Sequence, residues 1–492
     1  MSNSSTSLVT GVTFVATLGG LLFGYDTAVI SGAVSSIDAN FIDPQHLSET
    51  ARSSLSGFTV SSALMGCIIG AFLAGWISNG LGRKGGLMVA GALFLVSALG
   101  SAYPELGLGP IGGMGPQALI PFIVYRILCG IGVGIASMLS PLYIAEISPS
   151  RIRGRLVSFN QLSIVLGMSV VYFVNWGIAR QGSQAWIDST GWRLMLVSEA
   201  IPAVLFLVLL TLVPDTPRWH VMKGHNDKAL SILNRLVGET EARTTLTEIK
   251  TSLVAGASDQ GQEGTRLLAF GMLVIVAGIM LSVFQQLVGI NAVLYYAPLM
   301  FQNLGAGTDS AMWQTAIVGV ANVLFTVIAI ATVDRLGRKP LLVIGGLIMG
   351  VAMVTLGFQF QANATGTGPL VAAIVYIAGF ALSWGPVTWV MLSEMFPNAI
   401  KGKAMSIAVA AQWIANWLVS TTFKILIGNS TLNALFNHGF PYWMYGLMSF
   451  LAAAFVYFYV PETKQRTLEE IQNLWTKGRS PEAAAIKQPA VG

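Results

Sequence analysis

Charge is what this chain has least of. Lys, Arg, Asp and Glu make up 10% of its 492 residues, where a soluble domain carries about a quarter. With 54% of the residues apolar, water is not its main solvent. Its two cysteines, Cys67 and Cys129, both lie inside apolar runs. That excludes a disulfide framework or a four-ligand zinc site and leaves both as buried helix-packing residues. The four histidines, His46, His220, His225 and His438, are scattered through loops, so the clustered His, Asp or Glu that a membrane enzyme needs at one depth is missing. No Gly-x-x-x-x-Gly-Lys-Ser/Thr run occurs, which argues against ATP hydrolysis as the motor and against a cofactor of that kind. Met1 to Gly11 contains no Lys or Arg, so no cleavable signal peptide is expected and the first apolar run is read as a retained helix.

What the chain does have is long apolar runs. A spanning helix needs about 20 apolar residues, and twelve candidates fall near 8–33, 55–78, 86–103, 119–143, 157–178, 193–213, 268–297, 309–332, 341–360, 369–393, 404–427 and 440–460. The one long polar stretch lies between the sixth and seventh. The expected organisation is a six-helix bundle over 1–214, a helical linker over 215–266, a second six-helix bundle over 267–462 and a tail over 463–492. Of the 27 Lys and Arg residues, loops of one parity hold 22 by count along the sequence, which predicts that both termini and the long central loop are cytoplasmic. The net charge of +5 is dispersed over these short loops, so no basic stripe for nucleic acid forms.

Two motifs recur in the two halves. Asn79-Gly-Leu-Gly-Arg83-Lys84 follows the second span and Asp334-Arg-Leu-Gly-Arg338-Lys339 follows the eighth. Glu146 precedes Arg153 by seven residues after the fourth span, and Glu394 precedes Lys401 by seven after the tenth. Matched motifs at matched positions point to an internal repeat. With Gly24-Tyr25-Asp26, Pro214-Asp215-Thr-Pro-Arg218-Trp219, Gln285-Gln286 to Tyr296 and Pro461-Glu462-Thr463-Lys464, the chain resembles the sugar porter family of the major facilitator superfamily over essentially its whole length. Bacterial D-xylose:proton symporters, and next to them bacterial glucose facilitators, share these motifs. The resemblance implies an all-α membrane protein with twelve transmembrane helices in two pseudo-symmetric bundles, carrying a monosaccharide by alternating access in the bacterial inner membrane. A monomer in lipid, with sugar and proton as its small partners, is expected. The chain departs from the family at Asn79 (usually Asp), Asp215 (often Glu), Lys401 (usually Arg) and Met168, where the xylose symporters have a second glutamine seven residues after the one at Gln161.

A sugar ring offers hydroxyls that both donate and accept, together with apolar C–H faces, and amides and aromatic plates suit the two. The spans contain Gln161, Gln285, Gln286, Asn291, Asn322 and Gln412 beside Phe23, Tyr296, Trp389 and Trp413; the resemblance assigns sugar contact to these positions, to Met168 and to Gly385. A helix-to-helix hydrogen bond would also account for any one of the amides. Gly289 and Pro298 in the seventh span and Gly385-Pro386 in the tenth weaken helices at the ends of the presumed cavity. Gly130, Gly132 and Gly134 sit mid-span and read as close packing.

Asp26, Arg126 and Glu199 fall well inside spans, where ionisable groups face the interior and pair. Asp26 with Arg126 is the natural couple, and the resemblance assigns proton coupling to the aspartate, with Glu199 as a second candidate; a static structural ion pair would also account for the couple. Arg83, Glu146, Arg153, Asp334, Arg338, Glu394 and Lys401 are expected to form a gate that cross-pairs between the halves when the inside is shut and separates when it opens. An amphipathic stretch over 218–250 is expected to pack against them. A uniporter of the same fold and a membrane sugar sensor are the rival readings; only about 30 residues follow Pro461, short for a signalling tail.

Overall fold

The computed structural model describes residues 3–148, 153–259, 272–364, 366–396 and 401–464, and every element among them is helical. Among the described residues, ten helices are long and apolar enough to cross a membrane. One of them, Glu49–Ala102, holds the second and third spans joined at Gly82, whose φ of +87° breaks the helix. A left-handed φ there favours glycine. Lys401–Ile427, the eleventh span in chain order, completes the set of twelve; Gln412, Asn416 and its hydroxyl residues make it less apolar than the rest. Phe72, Trp76, Ile201, Leu212 and Phe458 are each more than 70% exposed. Apolar side chains of that size on an outer surface require lipid, not water.

Inside the bundle, small residues let backbones meet. A Cβ at Gly130 would collide with the carbonyl oxygen of Ala63, and one at Gly134 with that of Cys67, so these glycines fasten the fourth span to the second. The seventh span is helical over Met272–Leu287, breaks at Gly289 with φ +90° and resumes over Ile290–Tyr295 and Ala297–Asn303. The tenth runs over Gly368–Leu382 and Trp384–Met395 with Ser383 out of helical geometry between them. A break between Trp192–Val197 and Ala200–Leu212 in the sixth span was not expected. The linker stretch holds three helices among the described residues, Pro217–Met222, Asn226–Val237 and Glu239–Asp259. Ala229, Leu233 and Leu236 are buried along one face of the middle helix, and Trp219 Nε1 donates to the Asn79 carbonyl at 3.4 Å.

The halves meet on the side opposite the basic loops. There Lys424 Nζ lies 2.8 Å from Asp38 Oδ2, Asp38 also accepts from Ser56, Ser61 bonds Thr421 at 2.6 Å, and the Trp176 and Trp313 rings are 4.7 Å apart. The Lys424 and Asp38 side chains are only 13% and 10% exposed, so the pair is partly shielded from water and worth more than a surface bridge. Lys424→Ala is expected to loosen this seam by roughly 1–2 kcal/mol, about a tenfold population shift. Labelling of Ser61→Cys by a membrane-impermeant thiol reagent should speed up accordingly in the Lys424→Ala background; an unchanged rate would mean that the pair does not hold the seam.

Candidate substrate cavity and coupling pair

Between the halves lies a cavity lined by Phe23 of the first span, Gln161 and Met168 of the fifth, Gln285, Gln286 and Asn291 of the seventh, Asn322 of the eighth, Gly385 and Trp389 of the tenth, and Gln412 and Trp413 of the eleventh. Gln161 and Met168 line it together because seven residues are about two helical turns. The amides hold one another. Gln285 Oε1 accepts from Gln412 Nε2 at 2.6 Å and from Gln286 Nε2 at 3.4 Å, while Gln285 Nε2 donates to the carbonyls of Trp384, at 2.8 Å, and Gly385. Asn291 Nδ2 donates to Gln286 Oε1 at 2.6 Å. This chain fixes which end of each amide faces the cavity, and Gln412 Oε1, buried without a partner, is an open acceptor for a hydroxyl. Phe23 and Trp413, from opposite halves, approach to 5.8 Å between ring centroids and form the apolar wall.

Tyr296 does not line the cavity. It is 1% exposed, donates to the Ser420 carbonyl at 3.2 Å and packs on Phe423; its neighbour Tyr295 faces the cavity instead. Successive helical residues point about 100° apart, so only one of the two tyrosines can face inward. Asn416, Thr326 and Phe380 also line the cavity. The i, i+4 spacings Gln412/Asn416 and Asn322/Thr326 carried the signal for two of them.

Arg126 Nη1 contacts Asp26 Oδ1 at 2.5 Å, with both side chains at most 2% exposed. Neither fits in hydrocarbon without the other. Glu199, at the break in the sixth span, is equally buried.

Four of the expected gate residues form two ion pairs in this structure. Arg83 Nη2 bonds Glu146 Oε1 at 2.8 Å and Arg338 Nη2 bonds Glu394 Oε1 at 2.9 Å, each within its own half rather than across. Glu146 also accepts from Thr216, and Glu394 from Thr463. Asp215 accepts from the Arg83 backbone N–H, and Glu462 from that of Arg338, at 3.1 Å each. Asp215-Thr216 and Glu462-Thr463 thus complete one clasp in each half, and the recurrence of Pro-acid-Thr after the sixth and twelfth spans was its sequence signal. The Arg83 and Glu146 side chains are 6% and 7% exposed, so this is not the weak surface pairing that exposed loops would give. The side chains of Arg153, Asp334 and Lys401 lie outside the described residues.

Comparison with known proteins agrees with this geometry. The D-xylose-proton symporter of Escherichia coli K12 is 54% identical over 99% of both chains. The glucose facilitated diffusion protein of Zymomonas mobilis is 47% identical over 96% of this chain and 99% of its own. The inward open conformation of the xylose transporter XylE from E. coli superimposes with a TM-score of 0.85 at 51% identity, covering 95% of this chain and all of that one. The chain matches the family described as "Sugar (and other) transporter" over residues 12–475. That match spans nearly the whole chain, and the amide-lined cavity between the halves is in keeping with carriage of a polar solute: the chain belongs to the sugar (and other) transporter family.

Proposed function

We propose that this protein imports a monosaccharide, D-xylose or D-glucose, together with a proton by alternating access across the bacterial inner membrane. The basic loops and both termini face the cytoplasm in this reading, and the halves are the bundles 1–214 and 267–462 joined by the linker 215–266, with 463–492 as a tail. One observation carries it: hydrogen-bonded amides and facing aromatics converge from both halves on a single cavity. A ligand held by both halves is exposed alternately as they rock. The closed seam on one side and the clasps within each half on the other support an inward-facing state. Asp26, held by Arg126, is the proton site; Gln161, Gln285, Gln286, Asn291, Asn322 and Gln412 meet the hydroxyls. Uptake of labelled xylose and glucose into vesicles with and without a proton gradient tests this. Accumulation only with the gradient is expected. Equal uptake without it would favour a uniporter, the reading that the likeness to the Zymomonas facilitator supports.

Met168 is the cavity position that bears on the choice of sugar. Met168→Gln adds an amide beside Gln161, and one neutral hydrogen bond is worth about 0.5–1.5 kcal/mol. The xylose-to-glucose competition ratio is expected to rise roughly three- to tenfold. An identical ratio would remove Met168 from the specificity determinants.

A further inference from the structure

We infer that Cys129 relays the coupling proton between Asp26 and Glu199, a role that rests on the proton-coupled reading and extends it to a residue that reading leaves unused. The three side chains come from the first, fourth and sixth spans, and one ligand atom from each lies within 4.8 Å of the other two. All three residues are buried. Cys129 is three residues beyond Arg126, so both point from one face of the fourth span. Cys129 Sγ donates to Glu199 Oε1 at 3.8 Å. Asp26 spends Oδ1 on Arg126, and its Oδ2 is buried with no partner.

A carboxylate oxygen left bare in a buried site is costly. A proton satisfies it. A thiol is both a weak donor and a weak acceptor, so it can take a proton from one carboxyl while giving its own to the other. In the step, the O–H bond on Asp26 Oδ2 breaks as an S–H bond forms on Cys129, and the original S–H bond breaks as an O–H bond forms on Glu199 Oε1. One proton moves and no electrons change hands. Arg126 stays beside the Asp26 carboxylate that results, so the charge left behind is compensated. Cys67 of the second span and Tyr295 of the seventh lie near enough to feel the charges of Asp26 and Arg126. A metal ion is a poor alternative occupant, because the Arg126 guanidinium already holds Asp26 and repels a cation.

Wild type, Cys129→Ala and Cys129→Ser are compared in proteoliposomes by gradient-driven accumulation of labelled xylose and by counterflow without a gradient. Alanine removes donor and acceptor; serine keeps both. The alanine variant is expected to lose about tenfold or more in gradient-driven rate with counterflow within about twofold, and serine to restore the driven rate. A packing role would change both assays together and would not be rescued by the smaller serine. Driven uptake at the wild-type rate in Cys129→Ala overturns the relay, as does a serine variant that fails like alanine while counterflow persists. Wild type that never accumulates sugar removes the coupling reading and the relay with it, a result visible before any variant is compared.

Discussion

Asp26→Asn will abolish uphill accumulation and spare downhill exchange. Asparagine copies the shape of the protonated aspartate, so the variant behaves as a carrier with its proton permanently loaded. Its two open states no longer differ in proton affinity, and a gradient cannot bias a cycle that does not sense it. The effect is large: one proton moving through about 100 mV supplies about 2.3 kcal/mol, enough for roughly fiftyfold accumulation. The variant should fall to equal concentrations inside and out. Counterflow should persist, because Asp26 is paired with Arg126 and does not line the cavity. Arg126 keeps an amide acceptor but loses its countercharge, so yield will drop; removing one partner of a buried pair costs about 3–5 kcal/mol. The measurement is gradient-driven uptake beside counterflow in proteoliposomes. Accumulation by the variant would show that coupling resides elsewhere.

Gln286→Ala will lose most transport while the protein stays folded, and Gln161→Ala will behave similarly. Gln286 both accepts from Asn291 and donates to Gln285, so its loss removes a hydroxyl partner and also frees two neighbours to reorient. Losing that hydroxyl partner and misplacing one neighbouring amide forfeits two neutral hydrogen bonds to the sugar, about 1–3 kcal/mol, a roughly ten- to hundredfold weakening. Helix content and detergent stability should be unchanged, since the side chain faces the cavity and not a close-packed seam. Unaltered uptake kinetics would remove the amide chain from the binding site.

The membrane map, the repeat, the Asp26/Arg126 pairing and most cavity residues were legible in the sequence. Each depends on a local rule: apolar length sets a span, and an ionisable group in hydrocarbon needs a partner. Recurring motifs betrayed the two halves, and the family resemblance singled out the cavity amides from the other polar residues inside spans, passing over Asn416. What it could not choose was which of Tyr295 and Tyr296 faces inward, since that depends on helix rotation after the break at Gly289. Nor could it say that Arg83 and Arg338 close on acids of their own halves, that Asp38 and Lys424 meet across 386 positions of sequence, or that Cys129 stands between Asp26 and Glu199. Those facts depend on how helices from distant parts of the chain are rotated and tilted against one another. Side-chain packing along their whole lengths decides that, and no local spacing encodes it.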